Sequence, residues 1–368
     1  MEELNQKRID RAVLVGLNAD CFPKEETATE ATLDELEALL NTAGGECAGK
    51  ILQNKHTPDP RSFIGEGKAE EVRQLVLSTG ANMVIFDNDL TPSQTRTLED
   101  ILKTTVLDRS ALILDIFAQR AKTREGKLQV ELAQYQYYLP RLTVWNEEMG
   151  RLGGGIGTRG PGETQLETDK RYIRSRIQKL RENLEDVRKV RAEQRRRRQK
   201  NDLPVVALVG YTNAGKSTLM NLLTQAGVLA EDKLFATLDP TARALKLPGG
   251  KTVMLIDTVG LVRRLPHHLV EAFRSTLEQA ATADIILNVC DASSPEARTH
   301  LDVTNEILQS LGCGDRPVIP VLNKWDLVGD ADSALHLTGA VRISALKNEG
   351  IPALLQAIED NLPVKPVD

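Results

Sequence analysis

The fold is decided by the stretch Val205-Val-Ala-Leu-Val209-Gly210-Tyr-Thr-Asn-Ala-Gly215-Lys216-Ser217-Thr218. Its aliphatic first part predicts a buried β-strand, its glycines predict a tight turn, and the largely apolar residues at 219–223 predict the start of a helix. Glycines allow a backbone to wrap around an anion, and the new helix directs its unpaired N–H groups toward that anion. The stretch therefore predicts a phosphate-binding loop, or P-loop.

Two side chains of this P-loop supply the chemistry of a nucleotide site. Lys216 places a positive charge near the β- and γ-phosphates, and the hydroxyl of Ser217 can ligate Mg²⁺. The short G-x-x-x-x-G-K-[ST] pattern also occurs by chance, but the strand before it and the helix after it favour a real site. The predicted nucleotide ligands in this stretch are Gly210, Tyr211, Thr212, Asn213, Ala214, Gly215, Lys216, Ser217 and Thr218.

Length and composition limit the possible classes of protein. The 368 residues are enough for two or three domains. The 47 Lys and Arg against 52 Asp and Glu give a net charge of -5, so a nucleic-acid partner has to contact a local basic patch. The four cysteines are far apart in the sequence and are expected to be free thiols. Neither a signal peptide nor a transmembrane segment is evident, so we expect a soluble, cytoplasmic protein. We also expect it to be a monomer.

The N-terminal region, residues 1–107, alternates apolar runs with helix-like segments. Strands are predicted at 12–16, 48–52, 83–86 and 104–107, and helices at 32–40, 68–78 and 92–102. Thr32 is predicted to cap the first helix, and Pro92 lies in the first turn of the third. Strands that alternate with helices indicate a small parallel α/β domain.

Residues 108–201 have the longer periodicity of helices. The pattern predicts one broken helix, or two in tandem, ending near Pro140, and a second long helix at 163–200. A glycine-rich loop at 150–162 separates them. Two long helices joined by such a loop predict an antiparallel helical hairpin, which we call the arm.

Two parts of the arm are candidates for binding nucleic acid. The loop at 150–162 carries Arg151 and Arg159 among its glycines, so its backbone can approach phosphates. Composition alone favours a flexible linker, but the loop has no serine tract and lies between helices that can pair. The basic run at 188–200, with four consecutive arginines, exceeds what a solvated helix end needs, which favours contact with a nucleic-acid backbone.

Residues 202–368 are predicted to form the nucleotide-binding domain, because further motifs follow the P-loop in order. The stretch Phe235-Ala236-Thr237-Leu238-Asp239-Pro240-Thr241 interrupts the regular pattern, and its Thr237 is predicted to ligate Mg²⁺ and sense the γ-phosphate. The motif Asp257-Thr258-Val259-Gly260 follows a predicted strand. Asp257 is then placed to reach Mg²⁺ through water, and the N–H group of Gly260 to approach the γ-phosphate. The predicted catalytic residues are Lys216, Thr237 and Gly260.

Two last motifs predict which base is bound. Asn323-Lys324-Trp325-Asp326 follows a strand at 318–322. Its aspartate can accept hydrogen bonds from N1–H and the 2-amino group of guanine, which adenine does not offer, while the lysine can cover the ring and the asparagine can contact the P-loop. Ser344-Ala345-Leu346 follows a strand at 341–343, where a backbone N–H can contact guanine O6. In this order and context, the motifs jointly indicate a guanine-nucleotide site.

With these motifs, the sequence resembles the HflX family of ribosome-associated GTPases, in the translation-factor class. The resemblance extends along nearly the whole chain and includes Phe63-Ile-Gly-Glu-Gly-Lys68, Phe86-Asp-Asn-Asp-Leu-Thr-Pro-Ser-Gln94, residues 153–167 and Leu265-Pro-His-His-Leu-Val-Glu-Ala-Phe-Arg-Ser-Thr-Leu277. The expected fold is α/β: a P-loop GTPase domain with a mainly parallel sheet and helices on both faces. A small parallel α/β domain and the helical hairpin precede it.

The resemblance also implies a function. It implies a factor that hydrolyses GTP with Mg²⁺, binds the large ribosomal subunit near the peptidyl-transferase region, and dissociates stalled or idle ribosomes, notably under stress. Ribosomal RNA is then expected to contact the basic helix 188–200 and the loop 150–162. A GTPase of ribosomal subunit maturation, or a GTP-gated protein scaffold with incidental hydrolysis, stays open as an alternative. Many family members carry a further small C-terminal domain, whose contacts we expect to be absent here.

One position departs from Ras-type GTPases. The residue after Gly260 is Leu261, where a Ras-type enzyme has a glutamine that orients the attacking water. HflX-like proteins share a hydrophobic residue there, so we expect slow intrinsic hydrolysis that the ribosome accelerates. Arg263 and Arg264 are candidates for an arginine finger, which donates positive charge to the transition state, although a solvated arginine is the favoured interpretation.

Overall fold

The described part of the chain forms two compact units. A computed structural model describes residues 9–23, 26–151, 161–200, 203–224, 234–235, 241–264, 282–313, 316–329, 335 and 337–363. The described residues within 1–119 and 128–182 form one unit, and those within 120–127 and 183–368 form the other. The division into three domains, with boundaries at residues 107 and 201, stays a prediction.

The first unit is built on a small parallel sheet. Its strands are β1 (Arg11–Ala19), β2 (Glu46–Lys55), β3 (Met83–Phe86) and β4 (Thr105–Asp108), and the helices between these strands are α1 (Glu30–Ala43), α2 (Glu66–Thr79) and α3 (Pro92–Leu102). The strand order is β2-β1-β3-β4, and every neighbouring pair is parallel. Side chains of β1 pack with those of α2 and α3 in one apolar core. The predicted parallel α/β arrangement is therefore confirmed.

The cap of helix α1 differs from the prediction. The cap is Thr29, whose backbone is extended and whose hydroxyl accepts a hydrogen bond from the N–H of Thr32. The hydroxyl of Thr32 accepts from the N–H of Thr29 in return, which completes a capping box. Thr32 therefore lies inside the first turn, and its prediction as the cap is wrong. Both threonines carry a hydroxyl able to cap, so the residue types alone do not distinguish them.

Three helices follow the first sheet along the chain. They are α4 (Arg109–Arg120), α5 (Arg124–Arg151) and α6 (Pro161–Lys200). The break between α4 and α5 agrees with the tandem alternative. The predicted glycine-rich loop at 150–162 is too long, because residues 150–151 and 161–162 belong to the helices. Residues 152–160 lie outside the described residues.

Helix α5 continues through Pro140, where the sequence predicts an end. A proline inside a helix removes a backbone hydrogen bond, so other contacts have to stabilise the helix. The hydroxyl of Tyr137 and the guanidinium of Arg141 each donate to the carboxylate of Asp108, both at 2.8 Å. The guanidinium also lies 3.4 Å from the centroid of the Tyr137 ring. These contacts attach α5 to the end of β4 on both sides of the proline, and the predicted helix end is wrong.

Arg141→Ala is expected to lower the free energy of unfolding by about 3–5 kcal/mol, because it leaves the buried carboxylate of Asp108 without its cation. Burial raises the pKa of Asp108, and the charge of Arg141 opposes that increase. Urea unfolding followed by circular dichroism measures the loss. The control Arg171→Ala removes an exposed arginine of α6, with an expected change of less than about 0.5 kcal/mol. Equal losses in the two variants would contradict the role of Arg141.

The second unit is built on a larger, mainly parallel sheet. Its strands are β5 (Val205–Gly210), β6 (Thr241–Lys246), β7 (Thr252–Asp257), β8 (Ile285–Asp291), β9 (Val318–Asn323) and β10 (Val341–Arg342). Beyond α6, the described α-helices of this unit are α7 (Lys216–Thr224), α8 (Ala297–Ser310) and α9 (Ile351–Asp360), and a short 3₁₀ helix spans Trp325–Leu327. The strand order is β10-β9-β8-β5-β7-β6, and only the β6–β7 pair is antiparallel. The predicted mainly parallel sheet is confirmed.

Strand β5 lies in the interior of this sheet and carries the P-loop at its end. Val206 and Leu208 pack into one apolar cluster, while Ala207 and Val209 pack into a second cluster. Alternate residues of a strand point to opposite faces, so both faces of β5 are covered. The continuous apolar run that opens the P-loop stretch is the pattern of such a strand.

Strand β6 is not predicted by the sequence pattern. Its first residue, Thr241, is assigned in the sequence to the interruption that begins at Phe235. Four of its six residues are exposed, because it is the edge strand. An edge strand needs no apolar run, so its sequence carries a weak signal.

The cysteines and the hydropathy of the helices bear on two expectations from composition. All four cysteines are free thiols, as predicted. Among the helices of the described part of the chain, none combines the length and apolarity needed to cross a bilayer.

Candidate nucleotide-binding site

The P-loop joins the end of β5 to the start of α7, and two of its glycines have no room for a side chain. Gly210 has φ +152°, and a Cβ there would lie 2.0 Å from the carbonyl oxygen of Val289. Gly215 has φ +90°, and a Cβ there would lie 2.2 Å from Nδ2 of Asn323. The loop can therefore pass this close to β8 and β9 only with glycine at both positions.

Lys216 is the buried cation of the loop. It is 6% exposed, and its Nζ donates to the carbonyl oxygens of Gly210 at 2.9 Å and Tyr211 at 2.8 Å. Burial lowers the pKa of Lys216 to about 8, and the charge of Asp257 partly opposes the decrease. A second source of negative charge would strongly stabilise the charged form of a lysine in this environment, and phosphate groups provide such a charge.

The predicted Mg²⁺ ligand Ser217 lies beside the end of β7. Its Oγ donates to Oδ2 of Asp257 at 2.9 Å. Asp257 is fully buried, and the neighbouring hydroxyl of Thr258 donates to the carbonyl of Leu208 at 2.6 Å. The adjacent oxygens of Ser217 and Asp257 fit a Mg²⁺ site, because Mg²⁺ prefers oxygen ligands and keeps several bound waters. The other predicted ligand, Thr237, lies outside the described residues.

The segment that contains Gly260 is attached to the P-loop. The N–H of Thr212 donates to the carbonyl of Leu261 at 2.7 Å, and the N–H of Leu261 donates to the carbonyl of Gly210 at 3.2 Å. A carbon atom added at Gly260 would lie 3.4 Å from Nζ of Lys216. The backbone of Gly260 is thus close to the P-loop lysine, as the prediction of a shared phosphate site requires.

Leu261 occupies the apolar core instead of the nucleotide cleft. It is 1% exposed and belongs to the cluster that includes Val209, Ala283 and Ile286. A side chain packed in this cluster cannot orient a water molecule. A glutamine at this position would bury an amide among apolar groups, which costs free energy unless it is hydrogen-bonded.

The structure contradicts the interpretation of Arg263 as a solvated arginine. Its side chain is 15% exposed, and its Nη2 lies 2.6 Å from Oε1 of Glu296. The guanidinium is paired with a carboxylate at the N-terminus of α8, so the finger hypothesis requires this pair to open. Arg264 has a left-handed backbone with φ +52°, and residues 265–281 lie outside the described residues.

Asn323 connects the predicted base motif to the P-loop and to the Ser344 motif. Its Nδ2 donates to the carbonyl of Ala214 at 2.8 Å, and its Oδ1 accepts from the N–H of Ala345 at 3.0 Å. The predicted tie between this motif and the P-loop is therefore present. Three loops from separate parts of the sequence meet at one side-chain amide.

The two charged residues of the base motif have defined partners. Lys324, with φ +58°, pairs with Asp291 at 2.7 Å. A hydrogen bond from the Ser344 hydroxyl lowers the pKa of Asp326, and Lys347 lies 3.5 Å from the same carboxylate. Asp326 is therefore ionised at neutral pH and ready to accept hydrogen bonds. Asp291 has no role in the sequence analysis. Its position at the end of β8 is a signal that could have marked it as a site residue.

Most of the Phe235 motif lies outside the described residues, namely Ala236, Thr237, Leu238 and Asp239. Phe235 is described and is 2% exposed. Trp325 lies under the guanidinium of Arg342 at 4.5 Å, and Leu346 is 84% exposed.

Comparison with known proteins identifies the family. Three family models match: "GTP-binding GTPase N-terminal" at residues 30–118, "GTP-binding GTPase Middle Region" at 120–198, and "50S ribosome-binding GTPase" at 205–324. A GTPase HflX from Caldanaerobacter subterraneus is 50% identical over 362 residues, which cover 98% of this chain and 82% of the relative. The chain belongs to the HflX family.

Further HflX relatives support the same assignment. The GTPase HflX of Lacrimispora saccharolytica is 49% identical and that of Escherichia coli 45%, over 95% and 90% of this chain and 82% and 79% of the relatives. The resemblance read from the motifs is thus confirmed, and this HflX-family chain is a P-loop enzyme that hydrolyses GTP. A solved complex of the protein SsGBP with GDP is 24% identical, covers 96% of this chain and 98% of its own, and has a TM-score of 0.52. That similarity supports the fold.

Proposed function

We propose that this HflX-family GTPase binds the large ribosomal subunit near the peptidyl-transferase region and dissociates stalled or idle ribosomes, notably under stress. It acts as a cytoplasmic monomer, and ribosomal RNA contacts the basic helix 188–200 and the loop 150–162. The observation that carries the proposal is the combination, in one chain, of a GTPase site with α5 and α6, of 28 and 40 residues. A 40-residue helix is about 60 Å long, which suits an arm that reaches into a large particle.

In the proposed reaction, water attacks the γ-phosphate, and the protein contributes position and charge. Lys216 donates to the β- and γ-phosphates in place of its contacts with the P-loop carbonyls, and the N–H of Gly260 donates to the γ-phosphate. Ser217 and Thr237 are proposed to hold Mg²⁺, with Asp257 acting through water. The ion would neutralise charge on the phosphates.

The proposed cycle depends on the γ-phosphate. GTP fixes Thr237 and Gly260 and keeps the protein in its ribosome-engaged state, and hydrolysis releases it. The buried side chain of Leu261 supports the idea that intrinsic hydrolysis is slow. The ribosome would then complete the site by ordering the segments around the γ-phosphate.

The test is GTP hydrolysis by the purified protein, alone and with purified large ribosomal subunits, at two salt concentrations. We expect a large stimulation by the subunits that falls as salt rises, since contacts with RNA phosphates release counterions. Sucrose gradients with intact ribosomes should then show subunits accumulating with GTP. Stimulation without splitting would favour a role in subunit maturation, and intact GTP binding without stimulation would favour the protein scaffold.

A pair of charge reversals isolates the proposed RNA contact. Arg197→Glu with Arg198→Glu changes the basic helix, and Lys246→Glu with Lys251→Glu changes two exposed residues of the GTPase unit by the same net charge. The first pair is expected to lower the stimulation at least tenfold, and the second to leave it within about twofold. Equal effects would attribute the salt dependence to overall charge.

A further inference from the structure

Four side chains beside the P-loop form a closed ring, which we call the clasp. It contains Tyr211 of the P-loop, Arg263 of the segment after Gly260, and Glu296 and His300 at the start of α8. All four belong to the second unit. The clasp is separate from the predicted contacts of the base and the metal ion.

Each member of the clasp contacts the next one. The rings of Tyr211 and His300 stack with centroids 3.9 Å apart and planes 15° apart. The hydroxyl of Tyr211 accepts a hydrogen bond from the N–H of Arg263 at 2.8 Å. The guanidinium of Arg263 lies 2.6 Å from the carboxylate of Glu296, whose other oxygen is 3.9 Å from Nε2 of His300.

The clasp is largely shielded from solvent. Tyr211 is 5% exposed, and the side chains of Arg263, His300 and Glu296 are 15%, 14% and 32% exposed. An ion pair at this depth is screened much less by water and salt than a surface pair. Opening the pair would leave the partly desolvated guanidinium of Arg263 without its counter-charge, which is unfavourable.

The clasp is continuous with the backbone that carries Gly260. Between Tyr211 and Arg263, the P-loop and the segment after Gly260 are joined by the hydrogen bonds of Thr212 and Leu261 described above. Helix α8 supplies the other half of the ring, and the buried side chains of Ala297, Leu301 and Leu308 hold it in the unit. Contacts with α8, as well as contacts with the P-loop, therefore fix the position of residues 261–263.

We propose that Glu296 and His300 are positioning residues of the GTPase site. They hold Arg263 and Tyr211, and through them they keep the N–H of Gly260 aligned with the P-loop for the γ-phosphate. Arg263 accordingly serves as a tether and not as an arginine finger. The inference rests on the proposed contact between Gly260 and the γ-phosphate, and it makes no use of the ribosome.

The test compares binding of GDP with binding of a non-hydrolysable GTP analogue to the purified full chain. Because only the analogue carries a γ-phosphate, Glu296→Gln and His300→Ala are expected to weaken analogue binding at least fivefold and to leave GDP binding within twofold. His300→Phe keeps a flat ring for stacking and is expected to restore most of the loss. In a double-mutant cycle, the double variant Glu296→Gln with Arg263→Gln is expected to bind the analogue no more weakly than either single variant, because both changes break the same ion pair.

Two further variants make the outcome specific. Arg298→Gln removes an exposed partner of Asp302 on the same helix and is expected to change neither affinity. Gly260→Ala keeps the N–H but places a Cβ 2.6 Å from Cγ2 of Thr212, so it moves this segment away from the P-loop without changing the clasp. A failure of Gly260→Ala to lower analogue binding counts against the proposed contact of Gly260. The positioning role is wrong if Gly260→Ala lowers the affinity for the analogue and the clasp variants do not. It is also wrong if the clasp variants lower the affinities for the analogue and for GDP equally. A loss of ribosome-stimulated kcat in Arg263→Gln at unchanged affinities would make Arg263 a finger and also overturn the proposal.

Discussion

Asp326→Asn is expected to lower the affinity for GTP by at least about a hundredfold and to raise the affinity for XTP. The carboxylate of Asp326 is proposed to accept two hydrogen bonds from guanine, from N1–H and the 2-amino group. Hydrogen bonds to a charged group contribute about 1.5–3 kcal/mol each, so losing one or both outweighs most other single changes in the site. The amide oxygen of an asparagine can accept from the N1–H of xanthine, and its NH₂ group can donate to the 2-oxo group of xanthine.

Isothermal titration with GTP, XTP and ATP measures this exchange of base preference. The control is Lys347→Gln, since Lys347 lies 3.5 Å from the same carboxylate but is 55% exposed. Its removal is expected to change GTP affinity by less than about threefold, because exposed pairs contribute about 0–1 kcal/mol. Equal losses for GTP and XTP in Asp326→Asn would mean that the carboxylate stabilises the loop and does not select the base.

The affinity for GTP is expected to fall as the pH rises above about 8. Burial lowers the pKa of Lys216 to about 8, and the phosphates of GTP raise it again in the complex. Below pH 8 the lysine is charged in both states, so the affinity is flat. Above pH 8 the lysine is neutral before binding and takes up a proton on binding, which weakens the apparent affinity by up to tenfold per pH unit.

Titrations with GTP at pH 7, 8 and 9 measure this dependence, and Lys216→Ala is its control. The variant is expected to bind GTP at least about a hundredfold more weakly at pH 7, because contacts between a buried cation and phosphate are worth about 3 kcal/mol or more. Its affinity should not change further between pH 8 and 9 beyond the titration of guanine itself, which both proteins share. Equal slopes for the two proteins would rule out Lys216 as the titrating group.

These two predictions probe opposite ends of the same site. Asn323 joins them, since its amide contacts both Ala214 of the P-loop and Ala345 beside the base motif. A change in base recognition at Asp326 should therefore leave the pH dependence at Lys216 unchanged if Asn323 keeps the loops in place. The double variant should show additive losses, as expected for residues that share no partner.

Local sequence predicted the elements that depend on contiguous residues. The apolar run before Gly210 forms a buried strand, and Pro92 starts α3 where its missing N–H costs nothing. Two elements were missed because contacts outside their own residues decide them. Helix α5 passes through Pro140 because Asp108, about 30 residues earlier, binds side chains on both sides of the proline. Strand β6 has an exposed sequence and exists because the edge of β7 pairs with it.

The sequence by itself determined the family, the parallel α/β architecture and the guanine-nucleotide motifs, because each motif is short and follows a strand whose end lies at one edge of the sheet. Only the tertiary structure decided which charged groups meet there. Lys324 pairs with Asp291, and Arg263 pairs with Glu296, across 33 positions in each case. Such partners depend on how strands and helices pack, and many carboxylates of this chain would satisfy the charge alone. For that reason residue type favoured a solvated Arg263 over an arginine finger, whereas packing pairs its guanidinium with Glu296 at the start of α8.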